Sequence, residues 1–308
     1  MLRFLLRRLL TAIPTMLVIA TLAFALLHLT PGGPFDSERL MQPQIQHAIE
    51  ARYHLDEPLW RQYLRYLKDL AHGDLGPSFQ YRNTSVNDII AQGLPIDLMI
   101  GGCAIAFALT VGGGIGLAAA SRPGTLRDRV PMTLAMVGIS VPGFVIAPVL
   151  ILVFAMRLHW LPAGDWVAGS WRHLLLPSLA LALPYTAFIA RIVRASALEV
   201  MGTAFIRTGR AKGLGSTALL LRHALRPTLM PLVSYLGPAL AGVLTGSIVI
   251  EQVFGLPGVG RFFITGALNR DYTLVMGLTL LYGALIIVFN IAVDLCYAWL
   301  DPRIHRAQ

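Results

Sequence analysis

Charge is scarce in this chain, and where it is missing says more than how little there is. Asp, Glu, Lys and Arg make up 13% of the 308 residues, against 56% hydrophobic, a balance too apolar for a soluble globular domain. Six stretches hold none of the four: 9–29, 98–120, 132–156, 173–190, 228–250 and 272–293. Each is close to or above the ~20 residues an α-helix needs to cross a bilayer core. The period-two alternation of a membrane barrel is lacking as well. The spans therefore read as helices, which satisfy their own backbone groups in lipid, and the chain as an all-α, six-span membrane protein.

Cysteine is nearly absent. Cys103 falls inside the second span and Cys296 just past the last, without metal-ligand spacing or a partner in an aqueous compartment, so the sequence offers neither a disulfide framework nor a zinc site. Both read as packing residues. A nucleotide site is missing too: Gly255-Leu256-Pro257-Gly258-Val259-Gly260-Arg261-Phe262 copies the glycine spacing of a P-loop, but Arg stands for the Lys that reaches phosphate and Phe for the hydroxyl that reaches magnesium. No Ser/His/Asp, Cys/His or H-E-x-x-H arrangement supports a hydrolase. Ion-coupled carriers need ionisable or cation-coordinating groups at membrane depth. Here His28, His159 and Asp294 all lie at span ends. Asp294, one turn from Asn290, reads as a local anchor.

The charge that is present is biased. Arg3, Arg7 and Arg8 precede the first span, Arg122, Arg127 and Arg129 follow the second, seven Lys and Arg lie between Arg191 and Arg226, and Arg303 and Arg306 follow the last. The short loops on the opposite side hold only Arg157, Arg172, Arg261 and Arg270. The positive-inside rule then places both termini in the cytoplasm, and the net charge of +9 reads as topology and anionic-lipid contact rather than nucleic-acid binding. Ala23-Phe24-Ala25 looks like a leader-cleavage site, but the apolar run continues to Leu29. The first span is expected to stay uncleaved.

The spans divide the rest of the chain into an N-terminus at 1–8, a periplasmic insertion at 30–97, cytoplasmic loops at 121–131 and 191–227, periplasmic loops at 157–172 and 251–271, and a cytoplasmic C-terminus at 294–308. In the insertion, Pro31-Gly32-Gly33-Pro34 breaks the chain. Asp56-Glu57-Pro58 then starts a helix whose Leu59, Trp60, Tyr63, Leu64, Tyr66, Leu67 and Leu70 recur at helical spacing until Gly73. That helix either caps the bundle or leaflet or offers a docking surface. Gly112 to Gly116 carries a G-x-x-x-G suited to close helix packing. Pro142, Pro148, Pro177, Pro184, Pro231 and Pro238 each free a backbone carbonyl inside a span, as kinks or as bends for a gate.

The basic segment Arg191–Pro227 holds the most information. Phe205 to Lys212 is predicted as a short helix stopped by Gly213 and Gly215; Ser216 then caps a second, LLLRHAL, which stops before Pro227. A helix held by flanking spans can fit a groove on a partner and pass on its motion. A basic loop on anionic lipid is the other reading.

At these residues the chain resembles the inner-membrane permease subunits of binding-protein-dependent ATP-binding-cassette importers. The coupling motif of the peptide and nickel branch is present as Arg207-Thr208-Gly209-Arg210-Ala211-Lys212-Gly213-Leu214 with Arg222-His223-Ala224-Leu225-Arg226-Pro227. Gly209 stands where the family more often has Ala. Further segments, Pro31-Gly32-Gly33-Pro34-Phe35, Tyr53 to Asp56, His72 to Phe79, Ser85 to Asp88, Phe254 to Gly260 and Asn269 to Tyr272, are similar to the first permease of oligopeptide importers.

The resemblance implies a type I importer architecture in a bacterial inner membrane and a heterodimer with a second, homologous permease. It further implies two cytoplasmic ATPases that bind ATP and Mg, a periplasmic peptide-binding protein, and no cofactor or catalysis in this chain. It places coupling contacts at Arg207, Thr208, Gly209, Arg210, Ala211, Lys212 and Gly213. Phe144, Tyr185, Tyr235 and Ser247, within spans three to five, are candidates for a weakly selective cavity lining, with packing as the alternative for each. Phe254, Pro257, Gly258 and Gly260 are candidates for a gate or a binding-protein contact. Oligopeptides are the leading cargo, with dipeptides, nickel or an ion-coupled peptide carrier as alternatives.

Overall fold

The computed structural model describes residues 2–29 and 53–300; the Pro31–Phe35 segment, Arg303 and Arg306 lie outside the described residues. Every apolar stretch forms helix, and most helices run well past it, because a helix continues for as long as its next turn is buried or capped. In chain order they are α1 (Leu2–Leu29), α2 (Leu59–Ala71), α3 (Val86–Phe107), α4 (Gly113–Ser121), α5 (Leu126–Ser140), α6 (Gly143–Leu150), α7 (Trp171–Met201), α8 (Ala204–Ala211), α9 (Ser216–Leu219), α10 (Leu225–Phe254), α11 (Val259–Leu268) and α12 (Tyr272–Leu300). Single π-helical segments at Ala108–Gly112 and Leu220–Ala224 join α3 to α4 and α9 to α10, and a third, Ile151–Arg157, extends α6.

The third apolar stretch is not one straight span. Val141 and Pro142 are both extended, and the axis turns by 105° between α5 and α6. Proline disfavours helical backbone in the residue before it, which is why the break falls there. Pro177, Pro184, Pro231 and Pro238 leave α7 and α10 unbroken. Among the described residues five helices are long and apolar enough to cross a membrane, and six if the bent pair counts as one broken span.

The chain forms two compact units. In the first, residues 1–96 and 257–287, Val86, Ile89, Val259, Leu274 and Leu278 form the buried core. Tyr63 anchors α2 on α1: its hydroxyl lies 2.6 Å from that of Thr21, and its ring lies beside Phe24. Burial, with a contribution from Tyr63, raises the Tyr66 phenol above its ordinary range, so Tyr66 sits there neutral. Leu59, Trp60 and Leu64 face outward.

Asp271 is the polar centre of this unit. Fully buried, its Oδ2 accepts bonds from the Ser78 hydroxyl and from the amides of Phe79 and Gln80, while its Oδ1 caps α12 at the Leu274 amide. Asn87 closes the adjacent turn by bonding the Gly73 carbonyl and the Leu75 amide. The separated segments His72–Phe79, Ser85–Asp88 and Asn269–Tyr272 thus belong to one hydrogen-bond network.

In the second unit, residues 97–256 and 288–308, α7 packs against α4, α5, α6 and α10. The G-x-x-x-G reading holds at Gly112 and Gly116. A methyl group on Gly112 would lie 2.5 Å from the Thr186 carbonyl oxygen, and one on Gly116 would lie 2.6 Å from that of Ala190. Gly113 and Gly114 meet nothing.

Two expectations are corrected here. Cys103 and Cys296 are exposed rather than packed, since α3 and α12 each bury only part of their circumference. Charge is absent from the apolar stretches but not from the helices: the extra turns bring in Asp97 and Glu251, which are 3% and 0% exposed.

Candidate coupling site

Most of the segment read as a loop is helix. α7 continues through Arg191 to Met201, Gly202 and Thr203 make the turn, and α8 follows at once. Arg207 braces that turn with its guanidinium on the Gly202 carbonyl. At the other end, the Leu214 amide bonds the Gly209 carbonyl and the Gly213 amide bonds that of Arg210, with Gly213 at φ +85°. This is a Schellman cap, which needs a left-handed residue where Gly213 stands.

α8 divides its residues cleanly. Ile206 is 0% exposed, buried among Ala120, Ala197, Leu219, Leu220 and Ala224. Gly209, three residues on, is half-buried, and a methyl group there would lie 2.6 Å from Leu219 Cδ2. Glycine at this position thus lets α8 lie close to Leu219, where Ala would have to displace that side chain. Arg207, Thr208, Arg210, Ala211, Lys212 and Gly213 are all exposed. The candidate residues form one outward basic face on an inwardly pinned helix.

Phe205 was missed by the motif reading. It is 51% exposed between the buried Ile206 and the exposed basic residues. Its signal is a large aromatic side chain out of phase with the helix's buried stripe. The second helix also differs from expectation. LLLRHAL does not stop before Pro227: the chain passes through the π-helical segment directly into α10. Arg226 leaves this junction to bond the carbonyls of Leu300 and Trp299 at the end of α12.

Only part of the proposed cavity set comes together. Tyr185 and Tyr235 both pack against the cluster of Ala108, Ile189, Val193 and Leu232, and Tyr235 stacks with Phe188 at 5.8 Å. Phe144 is 58% exposed on α6, and Ser247 is buried with its hydroxyl on the Leu244 carbonyl of its own helix. Phe254, Gly258 and Gly260 are buried and Pro257 is half-buried, so the segment assigned to a gate or binding-protein contact offers little surface. Two of its glycines are helix punctuation. Gly255 ends α10, Gly258 precedes α11, and the Asp165 amide covers the Phe254 carbonyl at 2.8 Å. Among the described residues no group of three or more His, Cys, Asp or Glu is placed to hold a metal ion.

The chain is 50% identical over 304 residues to the oligopeptide transport system permease protein OppB of Haemophilus influenzae, covering 99% of each. It is 51% identical to the protein of the same name from Escherichia coli, again with 99% of each covered. The dipeptide transport system permease protein DppB of Bacillus subtilis is 42% identical, with 99% of this chain and 98% of that one covered. Among solved structures, the inward-facing MetNI methionine ABC transporter has a similar fold, with a TM-score of 0.58 at 19% identity over 69% of this chain and 96% of that one. Residues 1–100 match the N-terminal family of binding-protein-dependent transport system membrane components. With residues 112–306 matching the inner membrane component itself, the chain belongs to the binding-protein-dependent transport system inner membrane component family.

Proposed function

We propose that this chain is one of two permease subunits of an ATP-driven importer that moves peptides, oligopeptides foremost, from periplasm to cytoplasm by alternating access. The observation that carries the reading is α8: a short helix pinned by Ile206, capped by Gly213 and presenting Phe205 among basic residues, next to no nucleotide site of its own. A shaped, charged ridge of this kind suits a groove on a cytoplasmic ATPase. The names of the relatives at 50% and 42% identity supply the cargo class and rank oligopeptides ahead of dipeptides.

In this scheme two ATPases bind ATP with Mg and close, drawing the coupling helices together and opening the cavity outward to accept a peptide from a periplasmic binding protein. Hydrolysis resets the subunits. Tyr185 and Tyr235, which pack against one cluster on α7 and α10, are the candidate lining, with Phe188 stacked on Tyr235 and Arg191 over the Phe188 ring. Broad aromatic surface with few fixed polar groups tolerates peptides of varied sequence.

The test is tripeptide uptake into proteoliposomes that hold this chain, the second permease and both ATPases, with binding protein supplied at the outward face. ATP alone is expected to drive uptake. Uptake driven by an imposed proton gradient without ATP would instead put Asp97 and Glu251 in an ion-coupled carrier.

A further inference from the structure

Asp128 lies in the first turn of α5 and is 2% exposed. Its two oxygens take the guanidinium of Arg194 as a fork, Nε to Oδ1 and Nη2 to Oδ2 at 2.8 Å, and Oδ2 also accepts the Gly124 amide at 2.8 Å. Arg194 is on α7, two turns before that helix ends at Met201 and α8 begins. The position where a Gly116 methyl would lie is 3.1 Å from the Arg194 amide nitrogen, so α4 crosses α7 at the level of the fork. One turn later in α4, Ala120 belongs to the cluster that buries Ile206. The α4–α5 turn is therefore held on both sides by the block that carries α8.

A buried carboxylate loses its hydration, and an apolar pair of similar volume often stabilises as well or better. What a bidentate fork adds is a fixed angle between two helices. Here the fixed pair is α7, which continues into α8, and α5, which runs to the 105° bend at Val141–Pro142.

We propose that Asp128 and Arg194 are positioning residues for coupling: the fork makes the stem of α8 and the start of α5 move as one body, so displacement of α8 reaches the bent pair α5–α6. The proposal rests on α8 being the coupling helix. Neither residue touches substrate or nucleotide in this scheme.

The measured quantity is ATP hydrolysed per peptide imported, in the complete complex with both permeases, both ATPases and the binding protein. Asp128→Asn with Arg194→Gln removes both charges together, so neither is left buried alone, and is expected to raise that ratio by about fivefold or more. Arg194→Lys keeps the charge without the fork and is expected to raise it as well. A merely structural pair would lower hydrolysis and uptake in parallel and be rescued by Lys; an unchanged ratio in both variants overturns the inference. Gly213→Trp, measured alongside, separates the two ideas. If it raises the ratio and the fork variants do not, the fork inference alone falls; if it leaves the ratio at the wild-type value, the assignment of α8 falls and takes the fork with it.

Discussion

At the scale of single residues, the two glycines of α8 and its cap differ in what they need. Gly213 has open space where a side chain would go, but its φ of +85° is a conformation that L side chains avoid. The constraint is backbone strain, so size matters less than the presence of a Cβ. Gly213→Ala is expected to cost about 1 kcal/mol and fray the end of α8, and Gly213→Asn less, because Asn visits the left-handed region more readily. Limited proteolysis at Lys212 reads this out: cleavage should rise in the order Gly, Asn, Ala, and equal rates would show that the cap contributes nothing. Gly209 has the opposite need, with ordinary backbone but Leu219 against it.

At the scale of elements, helix contacts are decided by small residues and buried polar centres. The backbone of α4 approaches α7 at Gly116 with no room for a Cβ. Gly116→Leu must therefore separate the two helices, and the expected result is loss of folded protein in a detergent thermal-stability assay; an unaltered melting temperature would mean that α4 and α7 do not meet there. Asp271 has the same importance in the other unit, where it joins Ser78, Phe79 and Gln80 to the start of α12. Asp271→Ala strands several buried donors and is expected to cost on the order of 3 kcal/mol, whereas Asp271→Asn keeps acceptor capacity and should cost less. Thermal unfolding of the two variants, compared in one detergent, checks the order.

At the scale of the whole molecule, exposed Leu10, Ile13, Leu126, Leu134, Met136 and Trp299 are what a chain surrounded by lipid should show. Uptake by the whole assembly is expected to be driven by ATP. Asp97 and Glu251 make the assay decisive, because the charge-free stretches no longer argue alone against ion coupling. Activity only with ATP would show that these two buried carboxyls serve structure, and a gradient requirement would show that they carry charge across.

Apolar run length and the placement of Arg residues were enough to specify helices and their approximate number, because a bilayer imposes its length and charge rules on the linear sequence, while the family was legible only from the motif segments around Arg207–Pro227 and in the first unit. That α8 is a helix was legible from its glycine stop, and α2 from the spacing of its aromatics. Four features needed the folded chain: the bend at Val141–Pro142, the passage of α9 into α10, the burial of Phe254, Gly258 and Gly260, and the Asp128–Arg194 fork. Each depends on what lies beside a residue from a distant part of the chain. A proline can kink, break or do neither; a glycine can be loop, cap or contact; a carboxylate can be solvated or buried. Neighbours brought together by packing made those choices.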